Sequence, residues 1–254
     1  MNDTVTYQLR GEVAWLTINR PQARNALNKA VREGLFEGFH HFNDDKSARV
    51  LVLTGAGDKA FCAGGDLVEM AQTALEIPPV DFVPQLGRNI HTDKVTIAAV
   101  NGIAYAGGFL LAQNCDLIVA AKTARFAITE VKVGRGSPWA APLSGIIPQK
   151  VAMEILVTGE PIDALRAYQL GLINKVVPAK DLVEATQRLA ETIAANAPLS
   201  VIAAKKTARL ISEMPLTQAF AEAERIWAPV YLSSDAQEGP RAFQEKRQPN
   251  WSGK

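Results

Sequence analysis

The sequence predicts an α/β fold that gives way to helices alone over its C-terminal third, and three features carry that expectation. Compact apolar runs of the buried-strand kind recur at Val50-Leu-Val-Leu-Thr54, Ile97–Val100 and Leu117-Ile-Val-Ala-Ala121. Segments with helical spacing separate them, as in 28–42, where Val31, Leu35, Phe36 and Phe39 recur at three- and four-residue steps. Beyond about residue 180 only helical patterns follow.

Taken in order, Val5 to Asn19 holds two apolar runs around Gly11 and predicts a hairpin. Asn19-Arg-Pro-Gln-Ala-Arg-Asn-Ala-Leu27 is a polar loop before the first helix, marked by Pro21 and Asn25. After the strand at 50–54 comes Lys59-Ala-Phe-Cys-Ala-Gly-Gly-Asp-Leu67, a backbone-exposing turn that opens onto a short helical run. Scattered prolines and weak periodicity predict an irregular segment over 71–92. The strand at 97–100 then crosses a small-residue stretch to Gly107-Gly108, where a helix begins. Ala124–Glu130 sets a carboxylate between short apolar runs, and Pro138 suits the first turn of a helix. A helix around 151–156 ends at Gly159; Asp163 is expected to cap a helix over 164–170 and Asp181 one over 182–196. Helices over 198–213, 217–232 and 236–246 complete the chain.

A chain of 254 residues suits one large domain or one domain with an appendage, and 48% hydrophobic with 21% charged residues is an ordinary globular balance. The net charge of +1 gives no general attraction to nucleic acid or to an acidic membrane surface, so neither is expected as a partner. No basic-then-apolar leader opens the chain and no run of about 18 apolar residues occurs, so a cytoplasmic home without a membrane anchor is expected. Cys62 and Cys115 have no metal-ligand spacing, nor do His40, His41 and His91, and no metal site is expected.

The stretch from Thr96 to Leu117 organises the functional reading. Two glycines at a strand-to-helix junction let a ligand approach the backbone and leave N–H groups unpaired at a helix start, where they can hold an anion or a developing oxyanion. Tight packing of the helix on its strand would explain the same pair. Two glycines and an Asp make 60–67 a second backbone-exposing turn.

Four segments, NRPxxxNAL at 19–27, AFCAGGDL at 60–67, VNGIAYAGGFLLAQNCDL at 100–117 and EVKVG at 130–134, together resemble the crotonase (enoyl-CoA hydratase/isomerase) superfamily, as does the closing run from Asp235 to Trp251. The resemblance covers essentially the whole chain and rests on order and spacing. It implies a superhelix of ββα turns: a catalytic, acyl-CoA-binding core over 1–197 and a helical region over 198–254 that serves trimerisation and active-site closure in a homotrimer or homohexamer. It implies an acyl-CoA thioester as substrate, no separate cofactor since CoA arrives with the acyl group, and an enolate held by the backbone N–H groups of Cys62 and Gly107.

The same resemblance makes Glu130 the acid–base residue; a carboxylate in a surface salt bridge is the plainer reading. It implies substrate contacts at Arg24 near a phosphate, at Ala60, Asp66 and Leu67 around the adenine, and at Ala63, Gly64 and Gly108. Phe243 and Lys246 fall where C-terminal residues close over the nucleotide; solvated charges and core packing are the alternatives. Trp139 and Trp227 suit either an acyl pocket or the core. One departure matters. Hydratases of this kind carry a second glutamate three residues past the oxyanion-hole glycine, and here that residue is Leu110. Pro138 also lacks an N–H, which removes a loop donor if it aligns with the hydratases' water-binding amide. A single carboxylate can take a proton from one carbon and return it to another, so double-bond isomerisation is favoured. Hydration with one glutamate, or hydrolysis or lysis of a CoA thioester or β-diketone, comes next, and a non-catalytic acyl-CoA-binding protein last.

Overall fold

The computed structural model describes residues 3–74 and 76–254. The hairpin β1 (Val5–Arg10) and β2 (Val13–Ile18) turns at Gly11, whose φ of +61° a side chain would resist. Helix α1 (Lys29–Asp44) starts where the Asn28 side chain accepts from the Val31 N–H. Next come β3 (Val50–Gly55), β4 (Ala60–Cys62) and α2 (Leu67–Thr73), then β5 (Val95–Val100), β6 (Ile103–Tyr105) and α3 (Gly107–Asn114). The third repetition is β7 (Leu117–Ala121) and β8 (Arg125–Ala127), followed by a 3₁₀ turn over Thr129–Val133.

Each repetition gives its first strand to one sheet and its second to another. The six-stranded sheet runs β1-β2-β3-β5-β7-β10, parallel except for the hairpin, with β10 at Lys175–Val177. The small sheet runs β4-β6-β8-β9, with β9 (Ile162–Asp163) antiparallel to β8. This stepping from sheet to sheet is the superhelical arrangement that the resemblance in the sequence implies.

The large sheet is covered on both faces, which is why its strands read as unbroken apolar runs. Leu51, Leu53, Ala98 and Val100 face the cluster that includes Leu35 and Phe39 of α1 and Phe109 of α3. Val50, Val52, Ile97 and Ala99 face Leu182, Ala185 and Ala190 of α7 (Leu182–Ala194). In chain order, α4 (Leu143–Ile146), α5 (Gln149–Thr158) and α6 (Ala164–Gln169) follow β8 and precede α7.

The last third, α8 (Pro198–Glu213), α9 (Leu216–Tyr231) and α10 (Ser234–Gln244), is different in kind. Only Ala203 and Leu210 of α8, Ala219 of α9, and Asp235 and Ala242 of α10 are buried, while Leu216, Phe220, Tyr231, Leu232 and Phe243 are exposed. The tail is nonetheless pinned: the Asp235 carboxylate accepts from the N–H groups of Ser252 (2.7 Å) and Gly253 (2.9 Å), and the Trp251 indole donates to the Ala195 carbonyl (2.8 Å). No described helix is long and apolar enough to cross a membrane.

Two local expectations are corrected. Asp163 caps α6 as expected, accepting from the Arg166 N–H at 2.7 Å, but the Asp181 side chain makes no capping bond to α7. A 3₁₀ turn over Ala179–Asp181 leads straight into that helix and leaves Asp181 with nearly helical backbone, so its carboxylate is not aimed at the first N–H groups. The small-residue stretch after Asn101 contains β6, which owes its strand character to β4 and β8 on either side and not to any periodicity of its own.

Candidate active site

The loop over 19–27 is the brace of the site. Asn25, fully buried with φ +56°, donates from Nδ2 to the carbonyls of Ala56 (3.0 Å) and Ala60 (2.8 Å) and accepts from the Arg20 N–H (2.9 Å). The backbone continues the tie: Ala63 N–H donates to the Arg24 carbonyl (3.0 Å) and Leu27 N–H to the Gly64 carbonyl (2.8 Å). The turn after β4 is thus held by backbone bonds to a loop that is itself locked by one asparagine.

The two glycine turns meet backbone to backbone. A Cβ on Gly64 would lie 2.7 Å from the Ala106 Cβ, and one on Gly108 would lie 2.0 Å from the Cys62 carbonyl oxygen. Glycine is required at both places because no side chain fits. Between them Ala106 takes φ +51° and ψ −119°, a backbone conformation costly for any residue with a Cβ, and its own N–H is fixed to the Ala127 carbonyl at 2.9 Å. That ψ sets the direction of the next N–H, that of Gly107. No side chain caps α3, so the first N–H groups of the helix have no partner from a capping residue.

The Gly107 end of α3 forms part of the wall of a cavity of about 510 Å³. Glu130 reaches it from the 3₁₀ turn after β8. It is 9% exposed; Oε1 accepts from the Trp139 indole N–H at 3.0 Å and Oε2 has no protein partner. Burial pushes the carboxyl up from its ordinary range, opposed by bonds from its own backbone N–H and from Trp139. Leu110, one turn into α3 and 3% exposed, presents an apolar wall to the same space. Burial also pushes the Cys62 thiol up to about 12, which makes it a poor nucleophile; its sulfur accepts from the Gly64 N–H at 3.4 Å.

Of the residues singled out in the sequence, Ala63, Leu67, Gly107, Leu110, Glu130 and Trp139 line this one cavity. Cys62 and Gly108 pack directly against each other behind it, and Gly64 against Ala106 and Gly107. Ala60 is buried in β4. Asp66 caps α2, accepting from Val68 and Glu69 N–H groups, and its other oxygen takes Arg20 at 3.0 Å. Arg24 sits in the left-handed region at φ +50°, and neither it nor Phe243 and Lys246 lines the cavity. Phe243 is 88% exposed on α10. Trp227 is a packing residue: its indole donates to Thr207 Oγ1 (2.9 Å) between α9 and α8.

Two contributors escaped the sequence reading. The Trp139 bond to Glu130 spans nine residues across two turns and leaves no local mark. The irregular segment also supplies much of the cavity wall, including Ile77, Pro79, Phe82, Val83 and Arg88. Its apolar residues among prolines were the available signal.

Comparison with known proteins agrees with this geometry. The model of the enoyl-CoA hydratase/isomerase family matches residues 8–254. A carnitinyl-CoA dehydratase of Citrobacter koseri is 37% identical, with the whole of both chains aligned. An enoyl-CoA hydratase from Mycobacterium tuberculosis superposes with a TM-score of 0.90 at 38% identity, and a probable enoyl-CoA hydratase/isomerase from Mycobacterium abscessus with 0.88 at 39%, each over the full length of both chains. A braced pair of glycine turns, a buried carboxylate facing them and a match along nearly the entire chain lead to one conclusion: this protein belongs to the enoyl-CoA hydratase/isomerase, or crotonase, family.

Proposed function

We propose that the chain isomerises a double bond in an enoyl-CoA thioester, with Glu130 as the only side chain that moves the proton. The observation that carries this reading is Leu110, a buried apolar residue in the cavity wall at the place where two-glutamate hydratases carry their second acid. Glu76 lines the cavity too, but its side chain is exposed to solvent. The ionised Glu130 takes a proton from C2 of a 3-enoyl thioester. The electron pair moves into the conjugated dienolate, whose charge rests on the thioester oxygen. The N–H groups of Gly107 and Cys62 stabilise that oxygen; one such donor is worth about 3–4 kcal/mol. Glu130 then returns the proton to C4, and the 2-enoyl thioester leaves. The reaction calls on no group beyond the protein and the CoA thioester.

One observation favours a second reading. Relatives at 36–38% identity are named for removing or adding water, a dehydratase and a hydratase, so hydration by Glu130 alone is the runner-up. The exposed apolar side chains of α9 and α10 support assembly into a trimer or hexamer through 198–254, with Phe243 and Lys246 of a neighbouring copy closing over the nucleotide. A cytoplasmic home remains part of the proposal.

Glu130→Gln keeps the shape and removes the base. Turnover is expected to fall by roughly 10²–10⁴-fold while acyl-CoA binding is retained. Offered a 3-enoyl-CoA and a 2-enoyl-CoA side by side, the protein is expected to shift the first faster than it hydrates the second. Fast hydration without isomerisation would transfer the proposal to the second reading, and full activity of the variant would end Glu130's part in either.

A further inference from the structure

We infer that the acyl group carries a negatively charged end, and that Arg88 receives it. This rests on reading the cavity as an acyl-CoA site. The cavity wall is mostly apolar, yet it includes Arg88 and Arg135 against one carboxylate besides Glu130, that of Glu76. Arg135 reaches the backbone carbonyl of Glu76 at 3.4 Å. Arg88 makes a single side-chain hydrogen bond, to Gln85 Oε1 at 3.2 Å, and forms no ion pair among the described residues.

Arg88 stands on a built turn. The Asn89 side chain donates to the carbonyls of Val80 (2.9 Å) and Val83 (3.0 Å) and accepts from the Gln85 N–H (2.6 Å). The N–H groups of Arg88, Asn89 and Ile90 all converge on the Gln85 carbonyl at 3.0–3.1 Å, and Pro84 and Ile90 are buried beneath. The guanidinium is therefore presented at the wall by a fixed piece of backbone.

Arg88 is exposed to solvent where it lines the cavity, so a neutral acyl chain gains nothing from its guanidinium. A carboxylate accepts two parallel N–H bonds from the guanidinium fork and neutralises it. A trimethylammonium group, as a carnitinyl ester bears, would meet the Arg88 and Arg135 guanidiniums, both of its own sign, with the exposed Glu76 carboxylate as partial compensation. The geometry thus selects an ω-carboxyacyl thioester over both a neutral and a cationic one.

CoA's own phosphates are the other source of anionic oxygen, and the experiment separates them. Calorimetry on the intact protein would use saturated esters, which need no turnover: a straight-chain acyl-CoA, its ω-carboxylate counterpart and its trimethylammonium counterpart, and the first two again as pantetheine esters. The ω-carboxylate is expected to bind a few-fold more tightly than the neutral ester on either carrier, and the cationic ester more weakly than both. Arg88→Gln should bring the acidic-to-neutral ratio near one, and Arg88→Lys should keep part of it. Equal binding of neutral and acidic esters overturns the inference, as does a ratio unchanged in Arg88→Gln. So does a variant that weakens every CoA ester alike and leaves pantetheine esters untouched, since Arg88 would then hold a CoA phosphate. Failure of every ester to bind would instead overturn the acyl-CoA reading on which the inference stands.

Discussion

The two glycine turns sit at equivalent points of successive ββα repetitions, yet they use their helix starts in opposite ways. At α2 the protein satisfies itself. Asp66 accepts from the N–H groups of Val68 and Glu69 and pairs with Arg20, so the positive end of the helix is filled by its own carboxylate. Burial pushes that carboxyl up, but the Arg20 bond, the N–H bonds and the Arg20 charge together hold it below the usual carboxylate range. At α3 the capping position is Ala106, which offers no side-chain acceptor and holds a strained φ of +51°. The first helix start is closed and serves the fold; the second is open and faces the cavity. Glu130 belongs with the open group, since its Oε2 has no protein partner either. Groups left open cost stability, and a site is where that cost is tolerated.

The largest effect tests the open carboxylate. Glu130→Gln should lose turnover as above and yet gain stability in a pH-dependent way. Burial raises the folded-state pKa above the unfolded one, so across that window the native state keeps a proton that the unfolded chain has released. Native stability therefore falls as pH rises through it, and glutamine escapes the penalty. Thermal melts of both proteins should nearly coincide at a pH below the ordinary carboxylate range and separate at neutral pH, with the variant melting higher. A variant that is less stable at neutral pH would place Glu130 among the satisfied groups and break the comparison.

Next in size is Gly108→Ala. Its Cβ would lie 2.0 Å from the Cys62 carbonyl oxygen, a backbone atom that cannot turn aside, so the two glycine turns must part. Displacing one backbone donor from a developing oxyanion should lower kcat/KM by about 10²–10³-fold. Gly145→Ala is the control, because a Cβ there meets nothing within 4 Å; its kcat/KM should stay at the wild-type value.

What the sequence made legible follows the same division. The runs at 50–54, 97–100 and 117–121 announced themselves because both faces of the large sheet are covered. Gly64 and Gly108 were visible because close backbone approach excludes every other residue. β6 was not legible: three residues paired between β4 and β8 get their conformation from neighbours distant in the chain. Nor were Ala106, whose strain is imposed by its surroundings, or the 76–88 segment, since apolar residues do not declare whether they line a cavity or a core.

Trp139 gives a smaller effect. Its indole N–H favours the ionised form of Glu130, so Trp139→Phe should push the carboxyl further up and move the acid limb of the kcat/KM profile to higher pH. A drop of roughly tenfold near neutral pH should accompany the move. An unchanged acid limb with reduced activity would make Trp139 a wall residue only, packed on the core residue Phe109 at 6.0 Å between ring centroids.

The smallest kinetic effect belongs to the closed turn. Asp66→Ala removes two capping bonds and the Arg20 pair, and loss of a cap costs about 1 kcal/mol, or about 2–4 °C in Tm for a chain of this size. The uncapped start of α2 lies on the wall beside Leu67, so the variant also tests whether an opened helix end is enough to capture an anion. It should not be. Val68 and Glu69 N–H groups are exposed to water once the carboxylate is gone, whereas those of α3 are held in a fixed direction by the Ala106 backbone. Melting temperature should therefore fall while kcat stays far above that of Gly108→Ala. A kcat as low as that variant's would mean that the capped start of α2, and not only the Cys62 N–H that precedes it, positions the reacting oxygen.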